Sequence, residues 1–157
     1  MAQKRSLITL TDEQVIAWHR HHSMVLHGYA LTLALKAGLS PAEAAGIFVE
    51  PWKSGRADFP SQVTDQVLEQ QARQTAEVSA LAYGEEHVEV ERQDDTWLVK
   101  VVIAHREPLE RYGASLERHI QWVAEQLRQV CEPKGIACTI WLDEDRQYMR
   151  FSRRAGS

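Results

Sequence analysis

The chain has little of what staples, interrupts or anchors a fold. It contains only two cysteines, Cys131 and Cys138. Their spacing is neither the Cys-x-x-Cys of a zinc ribbon nor that of a redox motif. Both are expected to be reduced packing residues, Cys131 at a helix end and Cys138 within a strand. The 8 Gly and 5 Pro are scattered, with no repeat, low-complexity tract or linker between them. One domain over residues 1–157 is expected, with 1–10 and 153–157 as flexible tails. No apolar run approaches the length needed to cross a bilayer, and the first residues lack the apolar core of a signal peptide. A cytoplasmic address without membrane contact follows by elimination. Positive charge is not in excess either: Lys and Arg number 18 against 22 Asp and Glu, for a net −4. A surface built to neutralise phosphates carries the opposite balance, so nucleic acid is not an expected partner. Gly-x-Ser-x-Gly, the P-loop and the dinucleotide Gly-x-Gly-x-x-Gly are all absent, which disfavours serine hydrolases and classical nucleotide enzymes.

What remains has a globular composition, 44% hydrophobic and 25% charged, with five Trp and four Tyr. So many large rings favour a well-filled core or a contact surface. Thr11-Asp12-Glu13-Gln14 has the form of a capping box and opens a helix that runs to Ala37, where Gly38 stops it. Val15, His19, His22, Leu26, Tyr29 and Leu33 share one side of that helix, and Ala17, Met24, Leu31 and Leu35 the other. A helix apolar on two sides needs two partners, one of which can be a second subunit. Ser40-Pro41-Ala42-Glu43 caps a short helix expected to end before Pro51, with a loop from Glu50 to Pro60. A third helix is expected from Ser61 or Thr64 to Tyr83, with a stripe of Val63, Val67, Val78 and Leu81.

The period then changes from helical to alternating. His87 to Glu91 and Trp97 to Ile103 read as a hairpin around Gln93-Asp94-Asp95. A long amphipathic helix follows, burying Leu109, Tyr112, Leu116, Ile120, Val123, Leu127 and Val130. Ile136 to Leu142 and Gln147 to Ser152 form a second hairpin around Asp143-Glu144-Asp145. The predicted fold is α+β: N-terminal helices, then hairpin, long helix and hairpin, giving a four-stranded antiparallel sheet with helices on one face. This order resembles that of small ligand-binding domains of the vinyl-reductase type, although the cysteine-containing motifs of those domains are missing. The resemblance implies a pocket between the early helices and the sheet.

The candidate chemistry lies in Trp18-His19-Arg20-His21-His22. His19 and His22 are one helical step apart, so their rings project side by side. They could supply half of a divalent-metal site, with His105, His119 or hairpin acids completing it, or they could simply pack. His87, Glu89 and Glu91 could form an acid–base or cation site, or merely the solvent face of a strand. Trp52 and Phe59 could sit on a lid or pin a connector to the core. Trp122 falls among Arg118, Gln121 and Glu125, where an exposed ring is expected. Three functional classes follow. The favoured one is a small-molecule-binding or sensing module lined by Trp18, His19, His22, Tyr29 and Trp52. The others are a hydrolase using His and carboxylate, with or without a metal, and a homodimeric interaction subunit. A homodimer is compatible with all three.

Overall fold

Two tight turns organise the sheet. Asp94-Asp95 joins β1 (Val88–Gln93) to β2 (Thr96–Val102), and Glu144-Asp145 joins β3 (Ile136–Asp143) to β4 (Arg146–Arg153). Asp94 and Glu144 adopt positive φ of 51° and 54°. Positive φ at the start of a two-residue connection suits the right-handed twist of the paired strands. The computed structural model describes residues 11–53, 62–103, 110, 111 and 113–154, with backbone alone at 51–53. Both hairpins run antiparallel, and β2 pairs with β4 through Trp97↔Phe151, Val99↔Met149 and Val101↔Gln147. The strand order is therefore β1-β2-β4-β3.

Strand alternation sends one set of side chains toward the helices. Trp97, Val99, Val101, Ile136, Met149 and Phe151 join Leu68, Ala72 and Ala76 of α3 (Asp65–Tyr83) and Ile120 and Cys131 of α4 (Leu116–Cys131) in one core. The helices cover one face of the sheet, as the sequence predicts. On the opposite face Lys100 meets Glu91 at 2.9 Å and Glu89 at 3.9 Å. Trp141 stacks on Tyr148, and the Arg150 guanidinium lies 5.0 Å from the Trp141 ring.

Local chemistry sets the helix starts. In α1 (Asp12–Lys36) the Gln14 amide donates to Thr11 Oγ1 at 3.2 Å, and the Thr11 amide donates to Gln14 Oε1 at 3.0 Å. Gly38 follows with φ +84°. The Glu43 amide donates to Ser40 Oγ at 3.3 Å, and the Ser40 amide returns to Glu43 Oε2 at 2.8 Å. That cap opens α2 (Pro41–Lys53). Thr64 caps α3 through the Val67 amide, and Ser115 caps α4 through the Arg118 amide.

Several expectations need correcting. Helix α2 continues through Pro51 instead of stopping before it. A proline in a last turn removes one hydrogen bond, and the buried Ala44, Ala45 and Val49 hold the helix regardless. The buried stripe of α3 is Leu68, Gln71, Ala72, Thr75, Ala76 and Tyr83, whereas Val78 and Leu81 are exposed. Small alanines let the helix approach the sheet closely, so size misleads when choosing the inner face. The buried polar pair is internally satisfied: Thr75 Oγ1 donates to the Gln71 carbonyl at 2.9 Å, and Lys134 Nζ donates to Gln71 Oε1. His87 ends a 3₁₀ turn, Glu85–His87, and does not belong to β1. The last helix begins at Leu116, after a turn at Gly113; Leu109 and Tyr112 lie outside the described residues. Trp122 is buried, not exposed, because α4 is covered twice, by the sheet below and by α2 alongside. It forms a second, smaller core with Leu31, Ala44, Ala45 and Ala114. At the C-terminal end Arg153 still pairs with Ile136, and the Arg154 amide donates to the Gly135 carbonyl at 3.0 Å. The expected tail at 153 is thus strand and anchored backbone; residues 1–10 and 155–157 lie outside the described residues.

Candidate functional site

Helix α1 turns Met24, Gly28 and Leu31 into the protein. At 100° per residue, Val15, His22, Leu26, Tyr29 and Leu33 lie within about 40° of the direction opposite Met24, with Trp18 and His19 on its two flanks. Their exposure is unusual: Trp18 55%, Leu26 56%, Tyr29 51% and Leu33 49%. His19 and His22 are exposed as well. The Trp18 indole stacks on the His22 imidazole, with centroids 4.5 Å apart and planes 17° from parallel, and it meets His19 edge-on at 5.1 Å. The sequence does bring Trp18, His19 and His22 together, but on the outside of the helix. Tyr29 lies further along the same stripe. The Trp52 side chain falls outside the described residues. Among the described residues no group of three His, Cys, Asp or Glu could hold a metal ion, so His19 and His22 have no further donor beside them.

One edge of the stripe borders a recess. Between α1, α3 and β1 an open groove of about 660 Å³ is lined by Ile16, His19 and Arg20, by Ala80 and Leu81, and by Val88 and Val90. Its walls are mainly apolar, with Glu77 and Glu85 also present. The Arg20 guanidinium lies 3.8 Å from Glu86. The acids of the first hairpin contribute nothing here. Glu91 accepts from Lys100 at 2.9 Å, which holds its carboxyl below the usual range, so Glu91 and Glu89 are the ion-pair partners of Lys100.

A second histidine cluster was not singled out from the sequence. His27 leaves α1 on the flank facing α2 and α4, where it meets Phe48 and Trp122 edge-on at 5.7 and 5.8 Å. His119, 2% exposed, lies 6.1 Å from Trp122 and shares a 3.4 Å hydrogen bond between its Nε2 and the Tyr83 hydroxyl. Burial, with a smaller push from the His27 charge, lowers His119 to about 4, and burial lowers His27 too. Both imidazoles are therefore neutral near pH 7. Burial raises Tyr83 to about 12. His119 Nδ1, Trp122 Nε1 and Gln126 Nε2 follow one another along α4, buried and without a protein hydrogen-bond partner. A signal for this cluster existed: His119 and Trp122 sit one turn apart on the side of α4 that the short, alanine-rich α2 must cover.

Among the described residues neither cysteine forms a disulfide. Cys131 is buried at the end of α4, and Cys138 interacts with it from β3. The contact with Cys131 and burial together push the Cys138 thiol up, away from nucleophilic chemistry.

Neither a protein-family model nor any curated protein matches this chain. Function rests on geometry alone.

Proposed function

We propose that the protein is an interaction subunit that pairs with a second copy of itself through the outward face of α1. The observation that carries this reading is the stripe itself: Trp18, Leu26, Tyr29 and Leu33 are each about half exposed along one line of a 25-residue helix. Scattered surface apolar residues are ordinary, but a contiguous row ending in a large ring favours contact with another protein. The stacked Trp18 and His22 rings add a flat, rigid contact area that loses little entropy on docking. Light scattering and sedimentation across a wide concentration range test the reading. The wild type is expected to dimerise, and the double variant Trp18→Glu, Leu26→Glu to remain monomeric with unchanged helical circular dichroism. A wild type that stays monomeric up to high micromolar concentration overturns it.

The groove favours a second reading, as a small-molecule-binding module. The apolar recess, edged by the charged Arg20, Glu77 and Glu85, suits a small, mainly apolar ligand. Thermal-shift screening with such compounds tests it. A hit lost in Leu81→Arg supports this reading, and no hit across a broad apolar set counts against it.

A further inference from the structure

Three side chains of α4 stand in a row with buried polar atoms that find no partner among the described residues: His119 Nδ1, Trp122 Nε1 and Gln126 Nε2. Spacings of three and four residues put them within about 60° of one helix face and along about 10 Å of its length. His119 and Trp122 are 2% and 3% exposed, with rings 6.1 Å apart. One step further along the row, Gln129 donates to the Ala42 carbonyl of α2 at 3.0 Å. The row therefore takes a protein acceptor where α2 offers one. Elsewhere its surroundings are the apolar Leu31, Ala44, Ala45 and Ala114.

The chemistry of the row is one-sided. Tyr83 is a buried phenol, and its one proton has His119 Nε2 as acceptor at 3.4 Å. That bond leaves the ring proton on Nδ1, because the opposite tautomer strands the phenol proton as well. The Trp122 indole can only donate, and the Gln126 amide nitrogen donates too. Three donors in succession do not fit a metal ion, since neither an indole nor an amide nitrogen offers it a lone pair. They suit water poorly, because the row itself offers a water no acceptor for either of its protons. The titratable groups that contact the row, His27 at the Trp122 ring and Tyr83 at His119, are uncharged near pH 7. A buried anion would meet no counter-charge there.

We propose that this row binds a small, neutral, mainly apolar compound through a carbonyl oxygen. Donors buried without a partner are costly, and apolar side chains of similar shape would avoid that cost. A carbonyl oxygen has two lone pairs and no proton of its own, so it satisfies neighbouring donors and leaves nothing unmatched. Phe48 covers the approach. It is 40% exposed and meets Trp122 edge-on at 5.2 Å and His27 at 5.7 Å, so turning its ring aside uncovers the Trp122 edge. The site shares no lining residue with the groove beside α3 and does not depend on pairing through α1.

Acetophenone and ethylbenzene, which differ by one carbonyl, test the proposal on the full chain. The readout is the Trp122 indole N–H in nitrogen–proton NMR spectra, assigned by its proximity to Phe48 and His27. Acetophenone is expected to move that proton downfield and to bind about tenfold more tightly than ethylbenzene. Gln126 is only partly buried, so Gln126→Leu is expected to fold and to weaken acetophenone about two- to tenfold. An equal response to both compounds, or to neither up to millimolar concentration, overturns the proposal. So does an indole N–H that keeps its cross-peak to water when acetophenone is present, which assigns the row to internal water. Benzoate binding more tightly than acetophenone near pH 7 overturns the neutral class of ligand.

Discussion

The two faces of α1 have nearly the same apolar content and entirely different surroundings. Inward, Met24 and Leu31 are 1% and 0% exposed, and Gly28 is buried between them. Outward, Trp18, Leu26 and Leu33 are about half open to solvent. Composition alone makes the faces look equivalent. Their energetics differ because burial, not hydrophobicity, converts an apolar side chain into stability. The inner face contributes to the fold of the chain, whereas the apolar area of Trp18, Leu26 and Leu33 remains about half open to solvent.

The sharpest way to test this contrast is truncation. Leu31→Ala removes a fully buried side chain and is expected to cost about 2–5 kcal/mol in denaturant unfolding. A cost below 1 kcal/mol breaks the assignment of faces. Acid gives the next effect. His119 is held at about 4 in the folded state against an ordinary value near 6.5, so the unfolded chain takes up more protons between those limits. Stability is full above about pH 6.5 and is lost as pH falls toward 4, by on the order of 3 kcal/mol. His27, lowered by burial, adds in the same direction. Urea titrations at stepped pH check this, and His119→Gln is expected to flatten the slope. Thr11→Ala removes the capping-box acceptor and costs about 1 kcal/mol, read by thermal unfolding. It frays the end carrying Val15 and Trp18 before it reaches Met24. Smallest is Leu26→Ala, expected to change the unfolding energy of dilute protein by less than about 0.5 kcal/mol. The same substitution is expected to weaken any concentration-dependent association, so one variant reads both faces.

Short-range chemistry made the elements legible. Thr11 with Gln14, Ser40 with Glu43, and the two acidic turns are complete within a few residues, and each marks a boundary found in the structure. Which side of each helix faces inward depends on what lies across from it. Val78 and Leu81 look like core and are exposed, because Ala72 and Ala76 permit the closer approach. Trp122 looks like surface and is buried, because α2 covers that side of α4. The same limit governs the candidate site. The i,i+3 spacing does bring His19 and His22 against the same Trp18 ring, His22 stacked on it and His19 edge-on. It carried no information about whether that face looks into the protein, and His27, one turn further along, is the histidine that does turn toward the interior.

The pairing of β2 with β4 has a consequence for how the chain is made. The two hairpins close locally, but the seam between them joins residues 97–102 to residues 146–151 across the whole of α4. While the chain emerges from the ribosome, β2 presents a bare backbone edge bearing Val99 and Val101 until the last strand arrives. During that interval the nascent protein is at its most adhesive. Crowded synthesis at high temperature should therefore tax its yield through strand-to-strand aggregation more than through any weakness of the finished fold.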